Sequence, residues 1–267
     1  MARERRVALT VAGCDSGGGA GVLADAAVFR AFGVWPTAAL TAVTAQNTMG
    51  VDAVAVMDPG LVLAQITAVV RDIGVDAVKT GMLGSGEVAS VVATTLRGLP
   101  AVVVDPVLAS SSGTTLLDAD GLDVMRSRLL PVATVVTPNL AEAAALTGLA
   151  VTDRDGMVAA GEALVALGAQ AALVTGGHLP GSRVADCLVA DGRCRWFEAE
   201  RDPSVHTHGT GCVLSAAIAA RLALGDGLVD AVQAGHEAVR RAIRAGLAIG
   251  SGGGPVDAGA VLSSPAS

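Results

Sequence analysis

The sequence predicts an α/β protein in which a mostly parallel sheet lies between two layers of helices. Apolar, strand-like runs alternate with loops and helical stretches about six times along the 267 residues. These runs are apolar at nearly every position, as in strands that a parallel sheet buries on both faces. Polar residues recur directly after the runs, at the edge where such sheets bind ligands.

The elements follow from apolar runs, β-branched residues and the turn residues between them. Strands are expected at 7–12, 37–44, 77–80, 101–104, 134–137 and 171–175, with a hairpin of 186–190 and 195–198. Helices are expected at 22–32, 58–73, 85–96, 118–129, 139–147, 155–167, 209–224 and 228–245. Asp58-Pro59 is typical of a helix start, since Asp caps the first turn and Pro suits its first position. No linker divides the chain, so a single domain over residues 1–267 is expected.

Composition excludes several function classes. The net charge of −7 argues against a nucleic-acid or anionic membrane surface, so any phosphate is expected to be held by backbone amides and a metal ion. No apolar run approaches the ~20 residues of a membrane span, and the run after Arg6 is shorter than a signal peptide requires. The four cysteines lack a metal or disulfide spacing, which favours a reducing compartment. We therefore expect a cytoplasmic protein.

The turn Gly209-Thr210-Gly211-Cys212 leads directly into an apolar helical stretch. The first N–H groups of a helix have no partner within it, and with the helix dipole they form an anion site. Cys212 lies at this positive end, where a thiolate is favoured. We expect a phosphoryl-transfer centre here. The alternative is a glycine-rich loop that caps a core helix, with Cys212 filling space.

Other chemistries are less well supported. The P-loop and the Gly-x-Ser-x-Gly turn of α/β-hydrolases are absent. Residues 17–21 only loosely match a dinucleotide fingerprint, and the second strand ends in Gln46 instead of an acidic residue. His206, His208 and Cys212 would leave a zinc ion one ligand short.

Six motifs occur in the order found in the hydroxymethylpyrimidine/phosphomethylpyrimidine kinases, thiamin-pathway enzymes of the ribokinase-like superfamily, and the chain resembles this family over essentially its whole length. The motifs are GCDSGGGAG at 13–21, AQNT at 45–48, KTGM at 79–82, TPNLAE at 137–142, GGH at 176–178 and THGTGC at 207–212. The resemblance implies a ribokinase-like three-layer α/β/α sandwich with a mostly parallel central sheet and no separate lid domain. It also implies a homodimer that uses ATP to phosphorylate 4-amino-5-hydroxymethyl-2-methylpyrimidine, and then its monophosphate to the diphosphate.

The resemblance assigns roles around the phosphoryl group. Gly209, Thr210, Gly211 and Cys212 are the catalytic residues: the amides of this turn hold the transferred group, and Cys212 takes the position of the catalytic base. Glu142 and Asp105 would supply oxygen ligands to Mg²⁺, with a monovalent cation such as K⁺ as a possible addition. The alternative for Asp105 is a turn residue before Pro106.

The pyrimidine is assigned to six residues: Gln46, Asp25, Ala20, Gly21, Met82 and Val107. Gln46 offers both a donor and an acceptor to an aminopyrimidine, although it could instead tie down a loop. Asp25 could instead complement the dipole of its helix. Met82 and Val107 would form apolar walls, and both could equally belong to the core.

ATP is assigned to five residues: Lys79, Asn139, Thr175, Gly177 and His208. Lys79 could equally form a structural ion pair, Asn139 caps the helix after Pro138, and His208 could hydrogen-bond its own loop. Thr175 replaces a lysine found in many family members. Two alternative functions stay open, namely a pyridoxal kinase of the same superfamily and an inactive pyrimidine- or nucleotide-binding regulator.

Overall fold

The computed structural model describes residues 4–110 and 113–262, which form one nine-stranded sheet. The strands are β1 (Val7–Asp15), β2 (Trp35–Asn47), β3 (Gly50–Val56), β4 (Ala77–Thr80), β5 (Val102–Val104), β6 (Val135–Val136), β7 (Ala171–Val174), β8 (Arg183–Ala190) and β9 (Arg193–Glu200). Their order across the sheet is β3-β2-β1-β4-β5-β6-β7-β8-β9. Pairing is parallel from β2 to β7, and antiparallel where β3, β8 and β9 join.

Helices connect the strands. They are α1 (Gly21–Ala31), α2 (Pro59–Ala68), α3 (Gly86–Thr95), α4 (Ala119–Val124), α5 (Leu140–Thr147), α6 (Arg154–Ala166), α7 (Thr210–Leu224) and α8 (Leu228–Arg244). Wider π turns at Val69–Ile73 and Met125–Leu129 extend α2 and α4 to the ends that the sequence predicts. The side chain of Asp58 accepts a hydrogen bond from the N–H of Leu61 at 3.0 Å, which confirms the predicted cap of α2. Among these helices, none is both long enough and apolar enough to cross a membrane.

The sheet lies between two helical layers. One apolar core joins it to α1, α7 and α8, and the other joins it to α2 through α6. Both cores consist mainly of Ala, Val and Leu, so the helices can approach the sheet closely. The predicted three-layer sandwich with a mostly parallel sheet is therefore confirmed.

The edge strand β3 is the main element that the sequence interpretation missed. The second strand was expected over residues 37–44, but β2 continues to Asn47 and turns back into β3. The side chain of Asn47 accepts hydrogen bonds from the N–H groups of Met49 and Gly50, which stabilises the turn. Most of β3 is exposed on both faces, so its sequence lacks the alternation of a half-buried strand.

Candidate active site

Two glycines fit the start of α7 against the loop after β1. Gly209 precedes α7 with φ +89°, and a Cβ there would lie against the carbonyl oxygen of Gly19. Gly21 begins α1 with φ +62°, and a Cβ there would lie against the carbonyl oxygen of Gly13. Only glycine combines this backbone conformation with such close approach. The N-terminus of α7 is thereby held beside the first loop, at the carboxyl edge of the sheet.

A buried cluster of charges lies beneath this point. The ammonium of Lys79 is 2.9 and 3.0 Å from the two carboxylate oxygens of Asp25 and 3.8 Å from Asp105 Oδ2. The hydroxyl of Thr10 donates to Asp25 at 2.6 Å, and the side chains of Lys79 and Asp25 are both 0% exposed. Burial lowers the pKa of Lys79, but the attraction of Asp25 and Asp105 outweighs burial and holds this pKa above its ordinary value.

The ion pair was one of the two interpretations of Lys79, and it is the arrangement observed. Direct contact of Lys79 with ATP, or of Asp25 with the pyrimidine, would require this pair to open, so both assignments stay predictions. Lys79 is the only lysine in the sequence. As long as it is paired with Asp25, Lys79 does not also stand in for the lysine that Thr175 replaces.

The expectation of a Cys212 thiolate is wrong. Burial raises the pKa of Cys212 to about 12, with Asp25 and Asp105 adding to the increase. The opposing pull of Lys79 and a hydrogen bond from the N–H of Gly21 are too weak to reverse it. A single helix terminus does not compensate for lost hydration next to two carboxylates. The thiol of Cys212 therefore keeps its proton near neutral pH.

Asp105 and Glu142 form a pair of buried carboxyl groups. The hydroxyl of Ser215 donates to Asp105 Oδ2 at 2.9 Å. Asn139 and Glu142 form a capping box: Asn139 accepts from the N–H of Glu142 at 3.0 Å, and Glu142 accepts from the N–H of Asn139 at 2.9 Å. This confirms Asn139 as the cap of α5. Burial, and then repulsion from Asp105, raise the pKa of Glu142 to about 8.

Such carboxylates suit a hard divalent cation, which would relieve their repulsion. Among the described residues, no group of three or more His, Cys, Asp or Glu side chains is placed to hold a metal ion. Mg²⁺ commonly takes one or two carboxylates and completes its shell with water and substrate phosphates. Asp105 and Glu142 therefore fit Mg²⁺ that arrives together with a nucleotide.

Gln46 lies partly exposed at the end of β2. Its backbone N–H donates to Ser16 Oγ at 2.9 Å, and the Ser16 hydroxyl donates to the Gln46 carbonyl oxygen at 2.8 Å. The backbone of Gln46 thus ties down the first loop, while its side-chain amide remains at the sheet edge. Met82 belongs to a small apolar cluster with Ala42 and Leu116, against which Val107 packs. Ala20 and Gly21 lie at the start of α1.

The side chain of His208 contacts the ends of β1 and β2. Its Nε2 atom is 3.0 Å from Asp15 Oδ2 and 3.4 Å from Gln46 Nε2. Its backbone pairs with Pro255, which brings the glycine-rich turn of residues 250–255 alongside. The side chain of His208 thus contacts the ends of β1 and β2, whereas the alternative expected bonds within its own loop; its contact with ATP stays a prediction.

The turn after β7 holds the other residues assigned to ATP. The N–H of Thr175 donates to the Pro138 carbonyl at 2.9 Å, next to the cap of α5. Gly177 is exposed, and its carbonyl accepts a hydrogen bond from Arg201 at 2.7 Å. Arg201 also donates to the carbonyls of Leu179 and Gly181. Thr175, Asn139 and Gly177 thus lie together at one edge of the sheet.

Sequence interpretation missed several partners of these residues. Ser215 follows Cys212 by three helical positions, so helical spacing could have placed both on one face. The pairing of Arg201 with 177–181 has no such local signal. His236 on α8 is also buried: it is 8% exposed, and its Nε2 lies 3.6 Å from Asp186. The carboxylate of Asp186 in turn accepts from the N–H of Gly176 at 2.9 Å.

The fold is a ribokinase-like sandwich, and one edge of its sheet carries a helix N-terminus and two carboxyl groups. This arrangement is typical of small-molecule kinases. The fold matches an ADP complex of Bacillus subtilis pyridoxal kinase with a TM-score of 0.92, 34% identity, and coverage of 98% of this chain and 100% of that one. It matches Clostridium difficile phosphomethylpyrimidine kinase with a TM-score of 0.80, 37% identity, and coverage of 90% and 100%.

Similar sequences identify the family of small-molecule kinases to which the chain belongs. The profile of the phosphomethylpyrimidine kinase family covers residues 15–257. A hydroxymethylpyrimidine/phosphomethylpyrimidine kinase of Streptomyces coelicolor is 49% identical over 255 residues, which span 95% of this chain and 94% of that protein. The chain belongs to the phosphomethylpyrimidine kinase family.

Proposed function

We propose that the protein transfers the γ-phosphoryl group of ATP to the hydroxymethyl oxygen of 4-amino-5-hydroxymethyl-2-methylpyrimidine, and then a second phosphoryl group to the monophosphate, in thiamin biosynthesis. The observation that carries this proposal is the N-terminus of α7 at Thr210, held between the loop after β1 and the buried carboxyl groups. Membership of the phosphomethylpyrimidine kinase family supports the same reaction.

The turn 209–212 stabilises the transferred group. In the transition state of phosphoryl transfer, charge spreads over the equatorial oxygens of a metaphosphate-like group. The N–H groups of Gly209, Gly211 and Cys212, with Thr210 between them, meet this charge without having to reorganise. Because its thiol stays protonated, Cys212 positions the hydroxymethyl oxygen by hydrogen bonding instead of removing its proton. The loose transition state tolerates this, since the hydroxyl proton leaves late.

The nucleotide and its cation occupy the edge formed by β5, β6 and β7. Asp105 and Glu142 would hold Mg²⁺, which would supply positive charge to neutralise the phosphates. Asn139, Thr175 and Gly177 line the phosphate side. A monovalent cation such as K⁺ could supply the positive charge that Thr175 lacks.

The pyrimidine occupies the edge formed by β1, β2 and β4. Gln46 reads the amine and the neighbouring ring nitrogen, because an amide offers one acceptor and one donor along its edge. Ala20 and Gly21 lie beside the ring at the start of α1. Met82 and Val107 form its apolar wall, consistent with their cluster beside Ala42.

ATP consumption with the hydroxymethylpyrimidine, its monophosphate and pyridoxal, assayed side by side, tests this function. We expect turnover of both pyrimidines. Pyridoxal is the second candidate, favoured by the 0.92 TM-score to a pyridoxal kinase. Turnover of pyridoxal alone would replace the pyrimidine assignment, and turnover of none of the three would refute the kinase.

We also propose a homodimer in the cytoplasm, with residues 1–267 acting as one domain. The edge strand β3 exposes Val54 (39%) and Val56 (43%), and Val43 on β2 is 42% exposed. An exposed apolar edge of this kind favours a second copy as its cover. Sedimentation should give a dimer for the native chain and a monomer for Val54→Glu. A native monomer would refute the dimer.

A further inference from the structure

Asp15, His208 and Gln46 form a hydrogen-bonded chain across the candidate active site. It joins the end of β1, the turn before α7 and the end of β2, and Asp15 and His208 are 193 residues apart in sequence. Asp15 Oδ2 is 3.0 Å from His208 Nε2, and Gln46 Nε2 is 3.4 Å from the same ring nitrogen. Which atoms donate along this chain decides what Gln46 presents to a substrate.

The carboxylate of Asp15 decides where the imidazole proton lies. Asp15 Oδ1 accepts a hydrogen bond from the N–H of Gly17 at 2.8 Å. Burial raises the pKa of Asp15, but the hydrogen bonds from His208 and Gly17 outweigh burial and hold this pKa below its ordinary value. Asp15 is therefore an acceptor at neutral pH, and His208 Nε2 must carry the hydrogen that it accepts.

A protonated Nε2 has no lone pair, so it cannot accept from Gln46 Nε2. A second conflict lies at Thr44, whose hydroxyl has one hydrogen but faces two acceptors, the Cys14 carbonyl and Gln46 Oε1, each at 3.1 Å. Exchanging the oxygen and nitrogen of the Gln46 amide removes the conflict at Thr44. At His208 it replaces two facing donors by one N–H that is shared between Asp15 Oδ2 at 3.0 Å and the Gln46 oxygen at 3.4 Å. The hydroxyl of Thr44 then donates to Cys14 and accepts from Gln46 Nε2, while Gln46 Oε1 faces the N–H of His208. The network of donors is what distinguishes these two amide orientations.

We propose that Asp15 and His208 act as positioning residues that fix the Gln46 amide with Oε1 toward His208 and Nε2 toward Thr44. We call this pair the Asp15–His208 clamp. The outer edge of the amide then offers an acceptor on the His208 side and a donor on the Thr44 side. This edge recognises an exocyclic amine beside a ring nitrogen, with the amine on the side of His208. The clamp thereby sets which way an aminopyrimidine faces, and it rests on the proposed binding of the pyrimidine by Gln46.

The tautomer of His208 tests the clamp without any substrate. In ¹⁵N-labelled protein at pH 8, two-bond nitrogen–proton spectra should show the Nε2–H tautomer for His208, assigned by its loss in His208→Gln. In Asp15→Asn, the asparagine keeps Oδ1 for Gly17 and presents N–H to the ring, so His208 should change to the Nδ1–H tautomer. The Nδ1–H form in the native protein, or an unchanged tautomer in Asp15→Asn, would overturn the proposal.

Kinetics test the consequence for the substrate. We expect His208→Ala to raise the KM for the pyrimidine by about tenfold, the scale of one lost hydrogen bond, with the KM for ATP unchanged. The same variant should also prefer the hydroxymethylpyrimidine less strongly over an analogue without the 4-amino group. The Gln46 amide, no longer fixed by His208, can then turn. His208→Gln should restore both values, since its side-chain N–H can donate to Asp15. A raised KM for ATP, with the KM for the pyrimidine unchanged, would make His208 a phosphate-binding residue instead.

Failure of the proposed function gives a different result. If Gln46→Ala leaves the KM for the pyrimidine unchanged, Gln46 does not read the substrate, and the assignment of the pyrimidine site fails. The tautomers of His208 in the native protein and in Asp15→Asn would still show whether the clamp exists.

Discussion

Replacing Lys79 by methionine tests whether this side chain is structural. The substitution keeps most of the side-chain volume but leaves the carboxylate of Asp25 buried without its partner at 2.9 Å. Removing one member of a buried pair costs about 3–5 kcal/mol of the free energy of unfolding. With a urea m-value of about 3 kcal/mol/M, the unfolding midpoint should fall by roughly 1–1.7 M.

The assay is urea unfolding followed by the fluorescence of Trp35 and Trp196. Arg71→Met, which removes an exposed cation, is the matched control and should change the free energy by no more than about 0.5 kcal/mol. Asp25→Leu combined with Lys79→Met should recover part of the loss, since the carboxylate of Asp25 is then gone and only Asp105 still lacks Lys79. A Lys79→Met protein within about 1 kcal/mol of native stability, with a raised KM for ATP, would refute the structural role.

Three further predictions follow from the site and its surroundings. Cys212→Ala should lower kcat by about 10²-fold with little change in the KM for the pyrimidine, because the Cys212 thiol positions the reacting hydroxyl. Equal effects on kcat and KM would instead make Cys212 a binding residue. Burial raises the pKa of Asp186 to about 6, so the folded state holds this proton more tightly than the unfolded chain and the stability it contributes falls as pH rises from about 4 to 6. Asp186→Asn, which keeps an acceptor for Gly176, should therefore gain stability over the native protein across that range in urea titrations, and a constant difference would contradict the shifted pKa. The sulfur atoms of Cys187 and Cys194 lie 2.9 Å apart across β8 and β9, so hydrogen peroxide should oxidise the two thiols to a disulfide while being reduced to water. Measurement of the intact mass should show the loss of two hydrogens in the native protein but not in Cys194→Ser. No such loss in the native protein would exclude the disulfide.

Much of the fold was predictable because its signals are local. Apolar runs locate the central strands, and Asp58 and Asn139 cap the helices that follow them, as both hydrogen-bond patterns confirm. The exposed strand β3 was not predictable in this way, because the pattern of a half-buried strand depends on one buried face. Its existence depends instead on pairing with β2 after the turn at Asn47.

The residues of the candidate site were predictable as a set, but their partners were not. Loop motifs and strand ends identify Gln46, Asp105, Glu142 and the turn 209–212 as polar or flexible positions at one edge of the sheet. The ion pair of Lys79 with Asp25 joins residues 54 positions apart. No sequence spacing indicates that the helix α1 and the strand β4 meet at these two residues.

The layered α/β architecture and the family could be read from the amino-acid sequence, as could the edge of the sheet to which phosphate transfer is assigned. These depend on periodicity and on short motifs, which local backbone preferences translate directly into structure. The charge state of Cys212 and the partners of Lys79 and His208 become visible only in the folded chain. These properties depend on burial and on charges brought together by folding, because the loss of water around a group sets both its pKa and its need for a partner.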